Sequence, residues 1–358
     1  MKNLYFRITL LLVALFSTEM VFAQTDGDSF FKNLKISGYA DIFYKADFNK
    51  NGDNTKTSFT VPDNSIEPAM FSLKLVHTSG KFSATADLGL GSKIEAFDYA
   101  ESGTNLLIKQ LYIDYNATDK LKLTAGSWTT HIGYELLDAP DNDIYSMSYA
   151  FSYGPFFHTG LKANYTEGSF NIMAGVANPT DLRSSFKRDA GKNFDNKYFI
   201  WQLGYAKDKL ALYLNGQQGS NNPSDSNVSQ FDFVGTYQVT DKFKIGANAT
   251  LVDITYDSNS TKQKWSSYVG YLKYQVSDLL ALNYRAEYLD NKDNYLGLGQ
   301  SVGNTVFANT ISATLSKGSF QLKPEFRFEN SSEKIYADVH GKPLKSSGNF
   351  LIAALYSF

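Results

Sequence analysis

Apolar and polar residues alternate along this chain with a period of two, and short polar turns interrupt the alternation at regular intervals. After Lys242, the row Phe243, Ile245, Ala247, Ala249 and Leu251 is apolar, while Lys244, Gly246, Asn248 and Thr250 stand between its members. After Asp278, Leu280, Leu282, Tyr284, Ala286 and Tyr288 alternate with Ala281, Asn283, Arg285 and Glu287. After Lys317-Gly318, Phe320, Leu322, Phe326 and Phe328 lie opposite Gln321, Lys323, Glu325, Arg327 and Glu329. Segments of this length and period suit strands with lipid on one face and water on the other. One such strand also fits a β-sandwich. A whole chain of them, each tied to a tight turn, predicts a barrel.

Seven tight turns are visible: Ser79-Gly80-Lys81, Ala117-Thr118-Asp119-Lys120, Glu167-Gly168, Lys207-Asp208-Lys209, Val239-Thr240-Asp241-Lys242, Val276-Ser277-Asp278 and Lys317-Gly318. Gly and Asp supply the backbone angles that hairpins need. Longer polar loops separate the hairpins, such as Asn49 to Pro68 and Gly219 to Asn227. One strand begins near Leu34, each turn joins two more, and a last strand ends at Phe358. The expected fold is therefore all-β: a transmembrane antiparallel up-and-down barrel of about 16 strands, with short periplasmic turns, long extracellular loops and both termini periplasmic. A barrel of this size leaves room for an aqueous lumen.

Two positions resist the pattern. Lys109 shares the parity of Leu111, Ile113 and Tyr115, which predicts a lipid-facing charge costing about 2–4 kcal/mol at the bilayer midplane. A bulge near Leu107, or a place at the outer rim, would relieve it. Pro324 sits on the apolar face of a strand, where it forfeits a ladder bond. The last strand is also unusual, because Leu351, Ala353 and Leu355 make its inner face apolar. Its outer row, Phe350, Ile352, Ala354 and Tyr356, has aromatics at both ends, as a lipid face should.

The N-terminus reads as a secretion signal over residues 1–23. Lys2 and Arg7 precede an apolar run from Ile8 to Phe16, and Val21-Phe22-Ala23 is a cleavage site, so maturation is expected at Gln24. Residues 24–34 form a short periplasmic segment and 35–358 the barrel. The chain has no Cys, which suits an exported protein that does not rely on disulfides. Its formal charge of −2 gives no footprint for nucleic acid. Mean hydropathy is −0.30, compatible with strands whose inner half faces water. Aromatics make up 15% of the residues, with 24 Tyr and 27 Phe, which suits strands and interfacial girdles.

The run Gly126-Ser127-Trp128-Thr129-Thr130-His131-Ile132-Gly133-Tyr134-Glu135, followed by Tyr145-Ser146-Met147-Ser148 and by Gly154-Pro155 through Lys162, resembles the OmpL-like, porin-2 family of outer-membrane β-barrel porins common in Bacteroidetes. Ile36 to Asp41 and Ala177 to Asp181 are similar to other pieces of that family, while His158-Thr159 departs from its pattern. The ending at Phe358 resembles the terminal signature read by the barrel assembly machinery. The resemblance implies an outer-membrane location and a water-filled channel for passive diffusion of ions and small hydrophilic solutes. It brings no catalytic residues.

The loop from His131 to Pro155, third of the long loops, carries Tyr134, Glu135, Asp138, Asp141 and Asp143 and no Lys or Arg. Folded into the lumen, it would form an acidic constriction favouring cations. Left outside, it is a solvated extracellular loop. Arg285, Glu287, Lys323, Glu325 and Arg327 should point inward, either as a transverse field for solutes or as salt bridges that stabilise the wall. The loop Thr180 to Asn196, with Arg183, Lys187, Arg188 and Lys192, reads as a solvated surface or as a contact for lipopolysaccharide phosphates. His77, His131, His158 and His340 show no metal spacing, and Ser127 with His131 lacks a third partner for hydrolysis. No metal, cofactor or enzymatic activity is expected. Outer-membrane lipid is the expected surrounding, and a homotrimer is compatible with the apolar outer face. The readings that compete with a diffusion porin are a substrate-selective uptake channel, a plugged structural or adhesive barrel, and a barrel hydrolase.

Overall fold

The tight turns set the pairing. Gly80, Gly168 and Gly318 take left-handed φ values of 58°, 59° and 57°, and Asp208 takes 53°. Each lies where a strand reverses into the next. The computed structural model describes residues 31–101, 103, 107–184, 186–187, 192–193, 196–221, 226–256, 260–299 and 303–358. The expected signal segment, and Arg188 in the basic loop, lie outside them.

Sixteen strands close into one barrel in chain order. They are β1 (Leu34–Asp47), β2 (Ser65–Ser79), β3 (Phe82–Leu90), β4 (Ile108–Asn116), β5 (Leu121–Thr129), β6 (Phe157–Glu167), β7 (Phe170–Ala177) and β8 (Tyr198–Lys207), followed by β9 (Leu210–Asn221), β10 (Ser226–Gln238), β11 (Phe243–Tyr256), β12 (Lys262–Ser277), β13 (Leu280–Asn291), β14 (Asn304–Lys317), β15 (Phe320–Ser331) and β16 (Ser346–Ser357). All seven expected turns fall between consecutive strands. Strand ends extend further than the polar composition suggested: β2 starts at Ser65, β9 reaches Asn221 and β10 starts at Ser226. The loops expected over Asn49–Pro68 and Gly219–Asn227 are shorter by those residues.

The seam joins β1 to β16 antiparallel, from Tyr39↔Ser357 to Asp47↔Asn349. Gly38 and Phe358 exchange two backbone hydrogen bonds of 2.9 Å. A Cβ on Gly38 would lie 2.6 Å from the Phe358 ring and 2.2 Å from the Ser72 carbonyl, so only glycine admits both. Pairing leaves neither wall of the seam as an open edge. The outer surface is apolar, with Leu111, Ile113, Leu251, Leu272, Ile311 and Phe326 all exposed. Among the described residues no helix is long and apolar enough to cross a membrane, which says nothing of the strands.

Lys109 does not face lipid. The β3–β4 register jumps from Asp87↔Gln110 to Leu88↔Ile108, so Lys109 is the extra residue of a bulge. The bulge turns its side chain inward, where it is fully buried and its Nζ meets Ser72 Oγ (2.7 Å), Asp138 (2.5 Å) and Asp87 (3.1 Å). Pro324 pairs with Ile352 of β16. On its other side the β14–β15 pairing skips from Ser312↔Glu325 to Leu315↔Leu322, and the Ser312 hydroxyl donates to the Pro324 carbonyl at 3.2 Å.

The lumen is not empty. A short helix, α1 (Ser92–Phe97), follows β3 and brings Ile94 and Phe97 into a cluster with Tyr39, Met70, Leu137 and Phe156. A second apolar cluster, including Ile254, Trp265, Leu289, Val306 and Tyr336, fills the loop-side half around Tyr149. Tyr149 opens α2 (Tyr149–Ser152), a single helical turn inside the loop that follows β5. Its N-cap is Ser148, whose side chain accepts the Phe151 amide.

Candidate functional site: a loop latched across the lumen

The loop between β5 and β6 folds into the barrel, and wall residues from several strands hold it there. Its roots are fastened first. Thr130 donates its amide to the Phe156 carbonyl at 2.9 Å, and the Thr130 hydroxyl lies 3.1 Å from His158 Nε2. His131 lies beside His158 with ring centroids 5.1 Å apart and planes tilted by 41°, while its Nε2 reaches the Trp201 carbonyl at 3.1 Å. The Gly133 amide then donates to Asp232 Oδ1 at 3.0 Å, and the Tyr134 ring stacks on Tyr271 at 4.0 Å.

The expected inward charges form the principal latch. Arg285 on β13 is fully buried. Its Nη1 donates to Glu135 Oε1 (2.6 Å) and to the Ser146 carbonyl (2.6 Å), and its Nε donates to Glu287 Oε1 (2.7 Å). Arg327 on β15 links Glu287 to Glu329, at 2.6 Å each. The carboxylates also take loop amides: Glu287 accepts from Tyr149 N (2.8 Å), and Glu325 from Tyr145 N (3.0 Å) and Ser146 N (3.3 Å). Lys323 donates to the carbonyls of Ala139 (2.8 Å) and Asn142 (2.5 Å). These charges tolerate burial because Arg285, Arg327 and Glu287 are paired with one another or with Glu135 and Glu329, while Lys323 and Glu325 are hydrogen-bonded to loop backbone.

The loop's acids are not a bare ring. Glu135 is bound to Arg285 and also accepts the Ser148 amide (2.7 Å) and hydroxyl (2.8 Å). Asp138 meets Lys109. Asp143 lies between Lys273 (2.7 Å) and Lys244 (2.9 Å). Burial pushes its carboxyl up, but the two lysines outweigh that and hold it below the usual range. Asp141 is exposed and, among the described residues, makes no ion pair with a wall cation. Its acidity is weakened first by the partial desolvation of its own carboxyl and then by Asp138 nearby. An acidic eyelet inferred from the loop alone therefore needs correction: the wall returns positive charge at three of its four acids.

The apolar inner face of β16 is the other half of the dock. Leu351, Ala353 and Leu355 pack with Phe43 of β1 and with Ala139 and Tyr145 of the loop. Lys93, at the start of α1, pairs with Asp41 at 2.8 Å and lies 3.8 Å from the centre of the Tyr145 ring.

Arg183 is not a solvated surface charge. It inserts against the Phe157 ring (4.1 Å), bonds Ser127 Oγ at 2.5 Å, and reaches Asp98 and the Ile108 carbonyl. Ser127 is thus engaged by Arg183 rather than by His131. Sequence reasoning named Arg183 but put it at the surface, and it missed α1. The signal for α1 was present in the i, i+3 spacing of Ile94 and Phe97.

Two recesses open in the barrel, and the smaller borders the latched loop. One, of about 780 Å³, lies at the loop end, lined by residues such as Asn54, Lys56, Leu298 and Tyr336. The other, of about 390 Å³, lies on the turn side between the loop and β8–β11, with Tyr134, Asp141, Gln202, Tyr213 and Lys244 in its walls.

The barrel fold is shared with known outer-membrane proteins. The anion-selective porin from Comamonas acidovorans is similar at a TM-score of 0.63 and 12% identity, covering 91% of this chain and 99% of that one. Outer-membrane expressed OmpT of Vibrio cholerae matches at a TM-score of 0.58 and 15% identity, over 91% and 97%. The outer membrane channel DcaP of Acinetobacter baumannii gives 0.55 and 14%, over 91% and 97%. At such identities these structures establish the barrel fold. No curated protein matches the sequence. Residues 33–358 match the family described as "Putative beta-barrel porin-2, OmpL-like". The match takes in all sixteen strands and the loop they hold, and the chain belongs to that family of outer-membrane porins.

Proposed function

We propose that this porin passes ions and small hydrophilic solutes passively through the space beside the latched loop. The observation that carries the reading is the loop of residues 130–156, drawn into the barrel and fixed there by Arg285, Glu287, Lys323, Glu325 and Arg327. A side chain network of this kind sets the width and field of a channel without any moving part. Residues 1–23 act as the export signal, residues 24–34 form a short lead, and the turn end faces the periplasm with both termini. The strand ending at Phe358 serves as the mark for the barrel assembly machinery, lipopolysaccharide surrounds the loop end, and three copies form the assembled unit. No catalytic step is assigned to it.

Planar-bilayer recording of the refolded protein is expected to show discrete conducting steps, and silence from folded protein would sink the proposal. A salt-gradient reversal potential compared among wild type, Asp138→Asn and Asp141→Asn measures what the loop contributes. Because Asp138 neutralises Lys109, its replacement is expected to move the preference toward anions.

A further inference from the structure

The turn-side recess carries hydrogen-bonding capacity that the protein itself leaves unspent. Gln202 lines the recess and gives its amide to Asn215 Oδ1 at 2.8 Å, which leaves its Oε1 as a spare acceptor. Tyr213, Thr236 and Asp141 line the same space, and among the described residues the Tyr213 phenol, the Thr236 hydroxyl and the Asp141 carboxylate have no side-chain partner. Lys244 is anchored to Asp143 at 2.9 Å and retains further N–H groups. The unspent set is therefore two pure acceptors, two hydroxyls that both give and accept, and one donor.

Charge in the recess is nearly balanced. Lys244 and Lys273 share Asp143, leaving one positive charge in excess, and Asp141 supplies one negative charge. Glu135 is cancelled by Arg285. His131, at the recess wall, has its basicity lowered to about 4 by burial, with Lys162 adding to the effect, and is uncharged at neutral pH. Apolar surface is present beside these groups in Tyr134, Tyr213, Leu136 and Val234. The volume, about 390 Å³, is within the range of small-molecule sites, roughly 300–1,000 Å³. A neutral solute meets such a mixture best when each of its polar groups both donates and accepts and its ring carries C–H faces to lay on an aromatic.

We infer that the recess is a binding station for a neutral, polyhydroxylated solute of one or two sugar rings, held by Gln202, Tyr213, Thr236 and Asp141. The inference rests on the channel reading and names the solute class that pauses in it. The test is ion current through the full-length protein in a planar bilayer, titrated with glucose, with maltose, and with polyethylene glycol of matched size as a control. The expected result is saturable block by the saccharides alone, with half-saturation weakened at least tenfold in Gln202→Ala and about threefold in Tyr213→Phe. Current that falls only as bulk conductivity falls, equally for sugar and glycol, would overturn the station and leave the channel standing. If no current is seen, the channel reading fails, and calorimetry of the folded barrel with maltose decides the station: saturable heat lost in Gln202→Ala supports it, and no heat overturns it.

Discussion

Two stretches of the barrel wall meet the loop in different ways. The wall of β12–β16 presents charge: Arg285, Glu287, Lys323, Glu325 and Arg327 are buried and bonded to loop backbone or to one another. The wall of β8–β11 presents amides. Gln217 donates to Gln230 (2.8 Å), Gln230 to Thr250 (3.0 Å), and Asn215 and Asn248 both donate to Asp232 (2.9 and 2.6 Å). The amide ladders satisfy one another along the wall, and this wall meets the loop chiefly through Asp232, which accepts the Gly133 amide, and Lys244, which pairs with Asp143. Charges with several acceptors or donors in reserve reach across. The loop therefore lies against the charged wall, and the recess opens beside the amide wall.

The comparison breaks most severely at Arg285. Replacing it with Ala leaves Glu135 without its cation and removes one of two from Glu287. A buried pair broken on one side costs about 3–5 kcal/mol. The expected outcome is a loss of that order in urea unfolding, with larger and noisier channel openings as the loop detaches. Wild-type stability and quiet conductance would show that the charged wall does not hold the loop.

A smaller effect is expected at the loop root. The His131 value in the fold, about 4, lies below the roughly 6.5 of a free imidazole. The folded state then binds fewer protons, so this contribution is present above about pH 6.5 and is lost as pH falls toward 4. Protease access to residues 131–156 should rise across that window, and His131→Gln should flatten the rise. The smallest effect is expected on the amide wall. Gln230→Ala removes one link from a ladder and should cost about 1–2 kcal/mol, without freeing the loop or altering open-channel noise.

The strands and their number were legible in the sequence because one physical signal, lipid outside and water inside, repeats at every pass. A bulge carries no such signal. Lys109 looked lipid-facing because one inserted residue inverts parity, and only its register against β3 reveals the inversion. The loop acids looked bare because their partners lie far along the chain: 29 residues separate Lys109 from Asp138, and 150 separate Glu135 from Arg285. Arg183 was hidden in the same way, since its anchors at Asp98 and Phe157 come from other loops and strands. The inward charges were found on parity alone, but parity does not say what stands opposite them.

The dry inner face of the seam bears on the order of events in folding. Phe43 belongs to the first strand, Leu351 and Leu355 to the last, and Ala139 and Tyr145 cover all three. Pairing β1 with β16 is the contact of greatest sequence separation in the barrel wall, and such contacts form late. A barrel that zipped shut with the loop left outside would wet those side chains from within. Loop entry and seam closure are thus thermodynamically coupled: the chain gains the full benefit of joining its first and last strands only once the loop is already indoors.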